Sequence, residues 1–172
     1  MPFPDGAPTR VVEVPAGGVP VLRDQLIAVC AQAFGGPPWN ESPAGAVRGA
    51  DLAVDAAVKK PGFRFVAALD AEGALVGFAR GHFDDYCARL SPAADDISLA
   101  WELADIAVAP AHQGRGLGHM LHNAVLYSTP APRLLITLPV PSLRDRYARW
   151  GWRALSEDIR DGGSRMVLMR HG

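Results

Sequence analysis

Gln113-Gly114-Arg115-Gly116-Leu117-Gly118 is the stretch from which the rest of the chain is read. An apolar run, Leu103-Ala104-Asp105-Ile106-Ala107-Val108, precedes it and is closed by Ala109-Pro110. After it the apolar period becomes helical, with Leu117, Met120, Leu121, Ala124 and Val125 at i, i+3, i+4, i+7 and i+8. The glycines therefore sit at a strand–loop–helix junction. They let the backbone approach a ligand closely and take dihedrals other residues avoid. The first turn of a helix leaves N–H groups without partners and carries a partial positive charge. Together these make a cradle for a phosphate or pyrophosphate.

Two phosphate-binding motifs are excluded by the residues present. A Walker loop needs G-x-x-x-x-G-K-S/T, and no Lys-Ser or Lys-Thr follows these glycines. A dinucleotide fold places its glycine turn early in a βαβ unit with an acidic residue about 20 positions on. Here the turn comes late, and the region after it has no such acid.

Gln113-x-x-Gly116-x-Gly118, preceded by Val108-Ala109-Pro110, resembles the coenzyme A loop of the GNAT N-acetyltransferase superfamily, Gln/Arg-x-x-Gly-x-Gly/Ala. Downstream, Tyr147-Ala148-Arg149-Trp150-Gly151-Trp152 resembles the family's Tyr-x-x-x-Gly-Phe. Each motif alone is moderately specific, and their order and spacing add to that. The resemblance covers roughly residues 9 to 170 and implies an α/β GNAT fold: a mixed, mostly antiparallel sheet with helices on both faces. The competing reading of the glycines is ordinary packing and turns.

At 172 residues the chain is long enough for one domain with its own core. Hydrophobic residues make up 49% and charged residues 20%, a globular balance, and the net charge of −1 gives no basic surface for nucleic acid. Cys30 and Cys87 form neither C-x-x-C nor a metal spacing, so no metal is expected, and a disulfide between them has no support in the pattern. No apolar run reaches 18 residues and the N-terminus has no signal-peptide pattern, so the expectation is a cytoplasmic protein away from membranes.

In chain order, residues 1–8 read as a flexible tail and 9–172 as the single domain. Thr9 to Val14 reads as a strand. Gly17-Gly18 and Pro20 open a helix with Val19, Leu22, Leu26, Val29 and Ala33 on its apolar face. Gly35-Gly36-Pro37-Pro38-Trp39-Asn40 ends it. In GNAT proteins this connection usually covers the acceptor site, so Phe34 and Trp39 read either as a substrate wall or as core anchors. Ser42-Pro43 reads as cap and first residue of a second helix ending near Lys59-Lys60-Pro61-Gly62, with Arg48, Asp51, Asp55 and Lys59 solvated. Phe63 to Leu69 and Ala74 to Phe83 form a hairpin around Asp70-Ala71-Glu72-Gly73. Residues 84–97 read as loop, and Ser98 to Val108 as the strand entering the glycine loop. The helix that follows stops before Pro130. Leu134 to Leu138 is a short strand, Ser142 caps a helix stopping at Gly151, and Trp152 to Leu155 and Met166 to Met169 finish as strands.

Moving an acetyl group from a thioester to an amine requires three things. The amine loses a proton, the tetrahedral oxyanion is held, and the departing thiolate is protonated. The resemblance implies direct transfer in a ternary complex with acetyl-CoA as cosubstrate. It assigns Ile106, Ala107 and Val108 to the pantetheine arm and the backbone of Gln113, Gly114, Arg115, Gly116, Leu117, Gly118 and His119 to the pyrophosphate. Arg115 reads equally as a solvated loop residue. Tyr147 matches the family's general acid or is a core aromatic beside Trp150 and Trp152. The Asn that many members carry seven residues before this Tyr is Val140 here. Glu102 is the candidate base or a strand carboxylate paired with an Arg. Asp105 is the runner-up, three residues on and so on the opposite face of a regular strand unless a bulge intervenes. His82 and His112 are further candidates. Asp84-Asp85, Asp95-Asp96 and Glu41 read as an acidic rim drawing a cationic amine or as solvated loop.

The resulting expectation is an N-acetyltransferase acting on a small-molecule or peptide amine, with homodimerisation left open. The rival is a non-catalytic acyl-CoA-binding sensor or interaction module.

Overall fold

The computed structural model describes residues 9–172, so the expected tail at 1–8 lies outside the described residues. Its strands are β1 (Arg10–Glu13), β2 (Arg64–Leu69), β3 (Leu75–Asp84), β4 (Ala100–Val108), β5 (Arg133–Thr137), β6 (Arg153–Asp161) and β7 (Ser164–His171). They form one sheet in the order β1-β2-β3-β4-β5-β7-β6. Every neighbouring pair is antiparallel except β4 with β5. The helices are α1 (Arg23–Phe34), α2 (Pro43–Asp51), α3 (Tyr86–Arg89), α4 (Leu117–Leu126) and α5 (Pro141–Arg149).

Strand alternation sends β2 side chains to two different cores. Phe65 and Ala67 join Leu26, Val29 and Val54 beneath α1 and α2, while Val66 and Ala68 join Leu121, Val125 and Tyr147 beneath α4 and α5. Helices thus cover both faces of a mixed, mostly antiparallel sheet, as the motifs imply. A third cluster, with Cys87, Ile97, Leu134 and Leu168, fills the space around α3.

Several boundaries differ from the sequence reading. α1 begins at Arg23; the Gly- and Pro-containing residues before it wind as two 3-10 turns, Ala16–Gly18 and Pro20–Leu22, although Val19 is still fully buried. Ser42 does cap α2, accepting from the Gly45 N–H at 3.1 Å. Beyond α2 the chain continues through a π-type turn, Leu52–Ala56, and a 3-10 turn, Ala57–Lys59. The supposed loop 84–97 contains the single turn α3 and a 3-10 turn, Pro92–Ala94, with Ser91 capping the Ala93 N–H. Ser142 lies inside α5: Val140 is the cap residue and Pro141, its φ already suited to a helix, takes the first position. β6 and β7 run longer than their apolar cores because the pairing extends through exposed polar residues.

The consequential irregularity is in β4. Arg80 pairs with Asp105 and Gly81 with Leu103, so Ala104 has no partner and forms a bulge. Gly81 is required opposite it: a Cβ there would stand 2.3 Å from both the Glu102 carbonyl oxygen and the Trp101 ring. On its other side β4 pairs with β5 only at Trp101–Arg133 and Glu102–Leu134, after which the two strands part.

Candidate functional site

The parted strands make a slot in the sheet, and three cavities adjoin one another along it. On the α4–α5 side a groove of about 390 Å³ is lined by Ile106, Ala107 and Val108, by the glycine loop, and by Arg146, Arg149 and Trp150 of the α5 region. At the slot lies a cavity of about 210 Å³ that includes Phe34, Trp39, Glu41, Thr137 and Tyr147. On the α1–α3 side a cavity of about 470 Å³ includes Arg80, His82, Asp84 and Glu102. The middle cavity shares Ile106 with the groove, and Leu103, Ala104, Asp105 and Ile136 with the distal cavity. β4 is therefore the common wall of one passage.

The groove has the backbone features that an anion cradle requires. Gly114 and Gly116 have φ of 76° and 79°, in the left-handed region that favours glycine, and Gly116 is the cap residue of α4. The first intrahelical bond runs from the Met120 N–H to the Gly116 carbonyl at 3.1 Å, so the N–H groups of Leu117, Gly118 and His119 have no helical partner. His119 stacks on Trp150 with ring centres 5.3 Å apart. Arg115 is exposed and outside the groove lining. Arg146 and Arg149, which the motif reading passed over, bring two cations to the groove. The sequence signal for them was their i, i+3 spacing on one helix face.

The open edge of β4 has a definite polarity. The Ala109 N–H donates to the Val76 carbonyl at 2.8 Å, and antiparallel pairs alternate between bonded and non-bonded. Ala107–Phe78 is then a bonded pair, whereas the main-chain groups of Ile106 and Val108 turn toward the slot. Gln113 Nε2 donates to the Val108 carbonyl at 2.8 Å, which ties the glycine loop to the strand. Of the three residues expected along the arm, Ile106 turns both main-chain groups to the slot, Val108 only its N–H because Gln113 takes its carbonyl, and Ala107 spends its own within the sheet.

Tyr147 is 9% exposed and stands edge-on to Trp150 and Trp152, with ring centres at 5.8 and 6.3 Å. It faces the middle cavity, and its hydroxyl makes no hydrogen bond among the described residues. Burial pushes the phenol up to about 12. Val140, where the family's Asn would stand, uses its carbonyl to accept the Leu143 and Arg144 N–H groups.

Glu102 lines the distal cavity and is 5% exposed. Its Oε1 accepts the Cys87 N–H at 2.7 Å. Burial, opposed by that bond and reinforced by Asp84, pushes the carboxyl up to about 7. His82, its cross-strand neighbour, is held below the usual imidazole range by burial. The bulge overrides the period-two expectation for Asp105: the extra residue brings it to the same cavity wall as Glu102, where Arg80 Nη2 meets its Oδ2 at 2.6 Å.

Phe34 and Trp39 pack edge to face at 5.8 Å and line the middle cavity, while Trp39 also packs on the third core cluster. Trp39 is thus a core anchor that also faces a cavity. The acidic rim narrows to Asp84 and Glu41, because Asp85, Asp95 and Asp96 line none of these cavities. Asp84 is itself paired with Lys60 at 2.9 Å. His112 lies outside the three linings, and His122 is buried, with Nε2 accepting the Trp152 indole N–H at 2.8 Å. Cys30 and Cys87 are free and buried in separate clusters. Among the described residues no helix is long and apolar enough to cross a membrane.

The family model described as the acetyltransferase (GNAT) family matches residues 27–133. No curated protein matches the chain. Among solved structures, similarity extends to one described as histone acetyltransferase HPA2 and related acetyltransferase from Corynebacterium glutamicum (17% identity, 94% of each chain covered, TM-score 0.66). It extends to NAA60 of Arabidopsis thaliana in complex with a bisubstrate analogue (16% identity, 94% of this chain and 98% of that one, TM-score 0.64). A third is the GNAT-family N-acetyltransferase YhbS of Escherichia coli in complex with CoA (21% identity, 99% and 84%, TM-score 0.62). At these identities the likeness is one of fold.

Proposed function

This chain belongs to the acetyltransferase (GNAT) family, and from that premise we propose that it transfers the acetyl group of acetyl-CoA directly to a primary amine within a ternary complex. The observation that carries the reading is the passage itself. An anion cradle, an open strand edge and a cavity with a poised carboxyl follow one another along β4. The cradle and edge fit the cosubstrate. The first-turn N–H groups of α4, with Arg146 and Arg149, suit its phosphates, and the main-chain groups of Ile106 with the Val108 N–H suit the amides of its arm.

The acceptor reaches the thioester from the opposite face of the sheet. Glu102, with its carboxyl near 7, takes the amine proton at neutral pH through a bridging water, since it lines the distal cavity and not the middle one. The freed nitrogen attacks the thioester carbonyl, the tetrahedral intermediate collapses, and the C–S bond breaks. Tyr147 donates to the departing sulfur. A phenol near 12 facing a thiol of ordinary pKa about 8.5 makes complete proton transfer uphill by about 5 kcal/mol, so the hydroxyl acts chiefly as a hydrogen-bond donor to the forming thiolate. Neither cysteine is needed, since both thiols are buried and pushed up by burial.

The test is a panel of primary amines scored by thiol release from acetyl-CoA, run beside thermal melts. Cosubstrate at 100 times its dissociation constant adds about 2.7 kcal/mol of stability. Stabilisation with turnover of at least one amine is expected. Stabilisation without turnover of any amine favours the sensor, and no stabilisation removes the acyl-CoA assignment.

A further inference from the structure

The middle cavity is lined by groups that ask for a cation. Glu41 faces it from the loop between α1 and α2, and Asp105 faces it from β4. Asp105 has Arg80 as its counter-ion. Glu41 is held above the usual carboxylate range by burial and by Asp105, with Arg48 pulling the other way. Thr137 lines the same cavity, is 1% exposed, and has a hydroxyl with no hydrogen-bond partner. The free Tyr147 hydroxyl and the rings of Phe34 and Trp39 also face it, and the rest of the wall is apolar, with Leu135 and Met166 among its residues. Carboxylates, hydroxyl oxygens and aromatic faces are all complementary to an ammonium group. A neutral guest would leave the Glu41 carboxylate, which has no ion pair among the described residues, facing the Asp105–Arg80 pair without a counter-ion of its own.

The position of Glu41 is specified by its neighbours. Its N–H donates to the Phe34 carbonyl at 2.8 Å, closing the loop between α1 and α2. Its side chain lies against the first turn of α2, where a Cβ on Gly45 would stand 2.7 Å from Oε1 and 2.6 Å from Cγ. Gly45 thus keeps the space into which the carboxylate folds. The adjoining distal cavity offers an apolar stretch, Leu52, Ala56, Ala57 and Ile136, beside its charged groups, with room for a small organic group.

We propose that the middle cavity is an ammonium seat, in which the acceptor is held as an alkylammonium ion between Glu41 and Asp105 against Trp39, with its apolar body in the distal cavity. The acceptor class is then a small cationic amine on an apolar or aromatic frame. The role as acceptor rests on the acyl-transfer reading; the binding does not.

The probes are 2-phenylethylammonium and its neutral counterpart 2-phenylethanol, each titrated by calorimetry into the full chain at pH 7, with and without CoA. The ammonium is expected to bind at least about tenfold more tightly, equivalent to about 1.4 kcal/mol. Glu41→Gln removes the charge. Gly45→Ala keeps every charge and displaces the carboxylate. Each is expected to bring the two probes within about twofold of one another, with melts confirming the fold. Asp105→Asn is avoided, since it would strand the buried Arg80 without a partner. Equal affinity of the two probes for the unaltered chain, no binding of either, or an undiminished preference in both variants overturns the proposal. A preserved preference for ammonium with no binding of CoA would support the seat and sink the acyl-transfer reading instead.

Discussion

Ala100–Leu103 and Asp105–Val108 are consecutive pieces of β4, separated by one bulged residue, and they are in opposite states of saturation. The first piece is buried throughout, paired with β3, and held to β5 at Trp101 and Glu102. The second is paired with β3 alone and turns the main-chain groups of Ile106 and the Val108 N–H to an open slot, with the Val108 carbonyl held by Gln113. Buried backbone polar groups ordinarily find partners. A strand that satisfies this rule along half its length and leaves it unmet along the other half marks where a partner from outside is wanted. The first half supplies instead a single reactive side chain on a fixed frame, Glu102.

The sharpest way to break this comparison is to fill the groove beside the second half. The Cβ of Gly118→Val would meet Trp150 at 3.5 Å, an ordinary contact, so the fold should persist while the branches occupy the cradle. Acetyl-CoA affinity should fall at least about a hundredfold, near 2.8 kcal/mol, by calorimetry. Normal binding would detach the cosubstrate from this half of the strand. Gly116→Val is the poorer probe, since φ of 79° adds strain of about 1–2 kcal/mol.

The first half is tested by Glu102→Gln, expected to lower kcat at pH 7 by about 10². The unaltered chain should gain rate as pH rises through about 7 and then level off. Stability carries an independent sign. The folded carboxyl sits near 7 against 4.5 for the unperturbed group. Its contribution is therefore fully present below about 4.5 and lost as pH rises through about 7, by on the order of 3 kcal/mol. Glu102→Gln should gain on the parent in melts at pH 8.5 relative to pH 5. A constant difference between the two would show that the buried carboxyl does not titrate in this way.

Smaller effects belong to the groups that bridge the two halves. Tyr147→Phe deletes one hydrogen bond to a developing charge, about 2 kcal/mol, and should reduce kcat roughly thirtyfold with acetyl-CoA affinity nearly constant. Wild-type turnover would make Tyr147 a core aromatic and nothing more. Gln113→Leu breaks the tie to the Val108 carbonyl. About 1 kcal/mol, or a fivefold loss of acetyl-CoA affinity with the acceptor KM unmoved, is the expected result. A change in acceptor KM instead would mean that the loop is coupled to the other side of the sheet.

What the sequence disclosed and what it withheld follow the range of the interactions. The strand–loop–helix junction at residues 103–121 was legible because its signals are local: apolar period, glycine, proline. The position of the bulge at Ala104 was not, since it exists through Gly81 on another strand, and so the face of Asp105 stayed conditional until the register was seen. Arg146 and Arg149 meet the groove only because α5 lies beside the first turn of α4 across the slot. The cap of α5 was misread for a local reason: Pro141 outcompeted Ser142 for the helix start. Cavities assembled from Glu41, Asp105 and Thr137 join three distant segments and leave no trace in any one of them.

Main-chain pairing between β1–β4 and β5–β7 rests on two residue pairs, Trp101–Arg133 and Glu102–Leu134. Mechanically the sheet is a pair of leaves on a very short spine, and the spine is at the end away from the glycine loop. Small rotations about it translate into the largest changes of gap at Ile106 and Val108. The α4 side chains Leu117, Leu121 and Val125 lie in a core cluster containing residues of both leaves, including Val66, Leu135 and Val167, and act as the spring that resists opening. The stiffness of that packing sets how far the gap at Ile106 and Val108 opens. Amide exchange at Ile106 and Val108 reads this breathing directly: fast in the free protein and slowed when a bound arm latches the leaves together.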